Sequence, residues 1–292
     1  MRAPVKGVRG EPMAPHTSWR IGGPADIFLS VASTDDLIEA VLAAREQGLP
    51  VFILGGGTNI LVSDRGVRGV VVENKVNDVR VDGPRLTATA GVTMAHLAAV
   101  AARSGIAGLE FAATIPGTVG GAVHGNAGAF GTETKDVVEE VALFEPETGV
   151  RIVPTGELAF SYRYSALKDR FAVVLQATFR GEQSDRDTVV RRIKVMANER
   201  LTKQPLALPN SGSVFKNPAG DHAGRLVEAA GLKGLRVGGA VVSEKHGNFI
   251  VNQSNATASD VRALIEEIQR RVYDKFGVKL DPEVEFIGEW ES

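Results

Sequence analysis

The chain has 292 residues, of which 43% are hydrophobic and 23% charged, with a formal net charge of −2 at pH 7. That length asks for about two domains, or three small ones, and the balanced charge gives no reason to expect nucleic acid or an anionic membrane as partner. The absence of cysteine excludes disulfides, thiolate zinc sites and a cysteine nucleophile, and fits a reducing compartment. Residues 1–10 lack the apolar segment of a secretion signal, and no apolar run is long enough to span a bilayer, so a cytoplasmic protein is expected.

In chain order, Asp26–Val31 reads as a strand. Ser33 and Asp36 start a helix whose Leu37, Val41 and Ala44 share one face. Val51–Leu54 is a short buried strand that ends in Gly55, Gly56, Gly57, Thr58 and Asn59. Strand, helix, strand and glycine loop give the outline of a βαβ unit, but without GxGxxG, which disfavours a nicotinamide-binding fingerprint. Val67–Val72 and Arg85–Ala90 continue as strands, and Thr93 caps a helix that Gly105 closes. The middle third is mostly β, with strands expected at Val137–Phe144, Arg151–Pro154 and Phe171–Phe179. Asp187 is expected to start an amphipathic helix with Val190, Ile193, Met196 and Ala197 on one face. From Lys203 the chain turns proline-rich and aperiodic. Then come a short helix at Gly224–Ala230, a strand pair at Ala240–Val242 and Phe249–Asn252, and a helix over Thr257–Phe276. Its stripe of Val261, Leu264, Ile265, Ile268 and Val272 is expected to pack on a sheet. Glu283–Ile287 is the last strand.

Between Gly105 and Gly131 stand eight glycines among Ala, Thr, Val and Ile. Glycine at this density serves turns with positive φ or a backbone that must approach something closely. Bare N–H groups flanked by small residues suit a diphosphate or a flat ring, and the shorter loop at Gly55–Asn59 would supply a second such surface.

Five segments stand in order along the chain: GGGTNILV (Gly55–Val62), IPGTVGGAVHGNAGAFG (Ile115–Gly131), SYRYS (Ser161–Ser165), NSGSVFKNP (Asn210–Pro218) and DPEVEFIGEW (Asp281–Trp290). Together they resemble the MurB family, the UDP-N-acetylenolpyruvoylglucosamine reductases of bacterial peptidoglycan synthesis, in its shorter form. The resemblance runs from about His16 to Ile287. It implies an α+β chain: a two-subdomain FAD-binding fold of vanillyl-alcohol-oxidase (PCMH) type over residues 1–72 and 73–202, then a C-terminal α+β substrate-binding domain over 203–292.

By the same resemblance FAD lies against Gly55, Gly56, Gly57, Thr58 and Asn59 and against Ile115, Pro116, Gly121, Ala122, Gly125, Asn126 and Gly128. The cofactor is non-covalent, since relatives that attach flavin covalently use a His or Cys and Thr58 stands in the first loop. NADPH is the hydride donor and UDP-N-acetylglucosamine enolpyruvate the substrate. Adding hydride to the β-carbon of an enol ether pushes charge into its carboxylate, which calls for a cation and an acid nearby. Arg163 matches the family arginine at that carboxylate, where a guanidinium fork suits two oxygens. Ser213 matches the proton donor to the α-carbon, and Glu283 the C-terminal glutamate, for which burial should raise the pKa. Lys216, Asn217, Arg225, Lys245 and His246 are the candidates for the sugar nucleotide. Glu285 stands where many relatives have Arg. His16, His96, His124 and His222 form no metal set and are expected to be structural. A monomer with no nucleic-acid or membrane partner is expected. Two alternatives stay open on the residues: another FAD-dependent oxidase or dehydrogenase of this fold, and a non-catalytic UDP-sugar-binding protein.

Overall fold

The computed structural model describes residues 5–290; the first four residues of the segment read for a leader, and the last two of the chain, lie outside the described residues. A four-stranded sheet runs in the order Val8–Pro12, Pro24–Val31, Val67–Asn74, Val51–Leu54. Helix α1 (Thr34–Glu46) joins the second strand to the last and starts where Ser33 accepts from Asp36 N. The expected βαβ outline is therefore opened by Val67–Asn74, which lies between its two strands.

The chain divides into two compact units. The first holds Leu29–Gly56 and Val71–Arg200. Its main sheet is antiparallel, in the order Gly149–Pro154, Val138–Glu145, Val173–Arg180, Arg85–Thr89, Val79–Asp82. Helix α2 (Met94–Arg103), capped by Thr93, lays Leu97, Ala98 and Ala101 into a core with Leu86, Ala88, Val141, Ala177 and Phe179. The glycine-rich stretch is less irregular than its composition suggests. Val119–Gly125 forms a short helix, α3, whose cap Thr118 accepts from Gly121 N at 3.5 Å and whose end residue Asn126 turns left-handed at φ 46°.

Helix α4 (Arg186–Lys203) starts one residue earlier than expected, at an Asp185 carboxylate that accepts from Thr188 N. Of its side chains only Val189 is buried; Val190, Ile193, Met196 and Ala197 are half-buried, so the expected face is present but shallow.

The second unit holds Val8–Phe28, Gly57–Val70 and the chain from Leu201 onward. Helix α5 (Ala223–Ala229) and helix α6 (Ala258–Phe276) enclose a core with the antiparallel strands Arg236–Val237, Ala240–Val242 and Ile250–Asn252. The α6 stripe is buried as expected; Thr257 and Asp260 form a reciprocal cap and Gly277 ends the helix at φ 70°. Trp19, Ile21 and Leu61 from the early chain belong to this core, and Trp19 donates its indole N–H to Ile250 O at 2.8 Å. The last strand is shorter than expected, Glu285–Ile287, and pairs in parallel with Ile60–Val62. Among the described residues no helix is long and apolar enough to cross a membrane and no group of three or more His, Cys, Asp or Glu could hold a metal ion.

Candidate flavin and substrate site

In the first unit Gly55 follows the strand Val51–Leu54 and comes so close to the cap of α3 that a Cβ there would lie 2.5 Å from Thr118 Oγ1. Only glycine leaves both the strand end and the cap intact. Of the neighbouring candidates, Ile115 closes a 3-10 turn over Glu110–Thr114 and Pro116 is exposed. Gly121 is exposed on the first turn of α3, Ala122 is buried beneath it and Gly125 ends the helix. In the second unit Gly57 has φ +60°, and a Cβ would lie 2.0 Å from His16 O. Its carbonyl accepts from Ser18 N. Among the described residues nothing accepts from the N–H groups of Gly56, Gly57 and Asn59, and the buried Ser18 hydroxyl has no partner. Glycine backbone too close for side chains, with unspent donors, fits the negatively charged diphosphate of FAD.

Asn126 is fully buried, and its side chain serves the protein. Its amide donates to Glu133 Oε2 at 3.0 Å and to Ser161 O at 2.8 Å, while its Oδ1 accepts from Lys135 N. Ser161 and Tyr164 exchange backbone hydrogen bonds around a two-residue turn, Tyr162-Arg163. Arg163 sits there at φ 56°, a conformation that costs a non-glycine residue about 1–2 kcal/mol. Its guanidinium donates to Gly128 O at 3.0 Å, lies 3.6 Å from Glu133 Oε1 and stacks over the Tyr162 ring. Such a conformation persists only where its surroundings hold it, as these contacts do here.

The second unit brings the segments that carry Ser213 and Glu283 side by side. Glu283 N donates to Val214 O at 2.8 Å and Lys216 N to Asp281 O at 2.9 Å, so the two motifs run side by side. Asn59 joins them to the first glycine loop, and Ser211 Oγ donates to Thr58 O at 2.7 Å. Ser213 is half-buried, follows Gly212 at φ 74°, and its hydroxyl has no partner among the described residues. Glu283 is half-buried as well.

The remaining candidates divide. Half-buried Lys216 carries its ammonium without a partner among the described residues. Asn217 Oδ1 accepts from Ala223 N and so caps α5. The fork of exposed Arg225 is held by Asp221, whose carboxyl that guanidinium lowers to about 2. Lys245 Nζ donates to Leu201 O. His246 Nδ1 accepts from Asn248 N, and burial, with the Lys233 ammonium second, lowers its pKa. Sequence reasoning missed Thr118, Glu133 and Asn248; the only local trace of Asn248 is the turn dipeptide Gly247-Asn248.

Residues 25–153 match the FAD binding domain family, and residues 204–287 match the family described as UDP-N-acetylenolpyruvoylglucosamine reductase, C-terminal domain. A UDP-N-acetylenolpyruvoylglucosamine reductase of Caldanaerobacter subterraneus subsp. tengcongensis is 47% identical over 280 residues, covering 96% of this chain and 93% of the relative. One of Clostridium botulinum (strain Okra / Type B1) is 42% identical over 96% and 92%. The crystal structure of the MurB reductase from Thermus caldophilus superposes with a TM-score of 0.82 at 34% identity, over 96% of this chain and 99% of that one. The fold is thus the α+β FAD-binding fold of vanillyl-alcohol-oxidase type with a C-terminal domain, and FAD is the cofactor. The chain belongs to the UDP-N-acetylenolpyruvoylglucosamine reductase family, in its shorter form.

Proposed function

We propose that the chain reduces the enolpyruvyl ether of UDP-N-acetylglucosamine to UDP-N-acetylmuramate, with NADPH rather than NADH as the physiological hydride source. FAD, held by the two glycine-rich segments, would supply the hydride chemistry that links the nicotinamide to the β-carbon of the enol ether. The observation that carries the reading is the half-buried Ser213 hydroxyl, without a protein partner among the described residues, in a segment hydrogen-bonded to that of Glu283.

In this reading Arg163 holds the substrate carboxylate and stabilises the charge that enters it as the β-carbon is reduced. The Ser213 hydroxyl gives its proton to the α-carbon. Serine is a weak acid, but an enediolate is a strong base, and the Lys216 ammonium in the same motif stabilises the alkoxide left behind. Glu283, protonated, donates a hydrogen bond to the carboxylate from the other side. The backbone of Gly55–Asn59 and of Ile115, Pro116, Gly121, Ala122, Gly125, Asn126 and Gly128 is assigned to FAD. Asn217, Arg225, Lys245 and His246 are assigned to the sugar nucleotide, with Arg225 exchanging Asp221 for phosphate.

We assign FAD to residues 1–72 and 73–202 and the substrate to 203–292, a division supported by the start of the C-terminal family match at residue 204. We take the enzyme to be a cytoplasmic monomer serving peptidoglycan precursor synthesis, and through it cell shape and division; a cysteine-free chain suits a reducing compartment. An anaerobic visible spectrum tests the reaction. NADPH should bleach the flavin band and UDP-N-acetylglucosamine enolpyruvate should restore it. A band that stays bleached would refute the acceptor, and a colourless protein that takes up no FAD would favour the binding-protein alternative.

A further inference from the structure

Asn248 is buried, only 4% exposed, and lies far in sequence from Ser213 and Glu283. Its side chain grips both backbone groups of one residue: Oδ1 accepts from Phe215 N at 2.9 Å and Nδ2 donates to Phe215 O at 2.8 Å. Its own carbonyl accepts from Val214 N at 2.9 Å. A carboxamide is the one uncharged side chain that presents a donor and an acceptor at the spacing of a neighbouring strand's backbone. On its other edge the same segment is held by Glu283 N and by Asp281 O. Val214 and Phe215, both buried, are thus fixed on two sides, one residue beyond Ser213. Among the described residues nothing hydrogen-bonds to Ser213 itself, and Gly212 before it is left-handed at φ 74°. Its placement is inherited from the two residues that follow it.

We propose that Asn248 is the positioning residue of the proton donor: it fixes the register of Ser213-Val214-Phe215 and, through the Glu283 N–H on Val214 O, the spacing of Ser213 from Glu283. The inference rests on the assignment of Ser213 as proton donor. An asparagine kept solely for folding would tolerate any substitution that leaves the core folded. A positioning residue would not, because a shift of about 1 Å in a proton-transfer pair can cost on the order of 10²-fold in rate.

The test uses full-length, FAD-loaded enzyme in anaerobic stopped flow, with rates taken per bound FAD. In Asn248→Asp the ionised side chain faces the Phe215 carbonyl with an acceptor instead of a donor. Flavin reduction by NADPH should stay within about twofold of wild type, while reoxidation by UDP-N-acetylglucosamine enolpyruvate slows 10–100-fold and its solvent deuterium isotope effect rises. That rate should recover relative to wild type as the pH falls, because a protonated aspartate again offers one donor and one acceptor. Combined with Ser213→Ala, the substitution should add no further loss, as expected for residues acting as one unit. Normal reoxidation in Asn248→Asp, beside slow reoxidation in Ser213→Ala, overturns the inference alone. Normal reoxidation in Ser213→Ala overturns the underlying assignment instead. If Asn248→Asp retains no FAD, Asn248→Ser takes its place with the same two readings.

Discussion

Asn59 donates its side-chain amide to Glu283 O at 3.0 Å and accepts from Glu285 N at 3.0 Å, so the last residue of the first glycine loop carries the C-terminal motif. Glu283 therefore takes its position from a loop more than two hundred residues earlier. The arrangement explains how Asn59 can belong to the glycine-loop motif while its side chain points to other work. It also gives the Glu285 backbone a structural duty independent of its side chain.

Ser213→Ala should leave NADPH-driven flavin reduction intact and slow substrate-driven reoxidation by about 10²–10⁴-fold, the range of a general acid. Stopped-flow absorbance separates the two half-reactions. Equal losses in both would refute the assigned role.

Arg163 separates stability from activity. Replacing it by glycine relieves the left-handed turn by about 1 kcal/mol and removes the contacts to Gly128 and Glu133. The two effects should nearly cancel in the urea midpoint while reoxidation by substrate falls at least 100-fold. Arg163→Lys keeps the charge but loses the fork, and should damage the same half-reaction; full turnover in Arg163→Lys would sink the fork argument.

Gly55→Ala places a methyl against Thr118 Oγ1 and must push that hydroxyl off the cap of α3. A lost cap costs about 1–2 kcal/mol, and FAD retention should fall with it. Adding Thr118→Ala should cost little more, because the clash and the cap are the same atom. Thermal shift and bound-flavin content report both. Additive losses would show that the close approach is not the cause.

Stability should decline as the pH falls below 6.5, the ordinary histidine value. His246 has a lowered pKa in the folded state because of burial and the Lys233 ammonium. Below 6.5 the unfolded chain therefore binds more protons, and stability rises with pH across that window. Protonation also removes the Nδ1 acceptor used by Asn248 N. Urea midpoints between pH 5 and 8 should show the slope, and His246→Gln should flatten it.

How much could be read beforehand depended on whether the determinant was local. Helix α6 was legible because its apolar stripe, its Thr257/Asp260 cap and its terminal Gly277 all stand within one segment. Helix α3 was not, since three of its seven residues are glycine and its start is fixed from outside, by Val119 N on Val92 O and Gly120 N on Ala90 O. In the candidate site, the motifs around Arg163, Ser213 and Glu283 were legible as segments of the sequence. The groups that hold those motifs were not. Asn126 reaches Ser161 and Asn248 reaches Phe215 across more than thirty residues each, and a lone buried asparagine carries no mark of its distant partner.

The core of the second unit draws Trp19, Ile21 and Leu61 from ahead of the proline-rich crossing. A recombinant piece cut at residue 204, where the C-terminal family match begins, would leave behind a tryptophan that is only 1% exposed in the intact chain. Such a piece should express poorly or aggregate, and grafting it onto a foreign flavoprotein would transplant a hole. Modular exchange between relatives of this enzyme must carry the early segments along with the late ones.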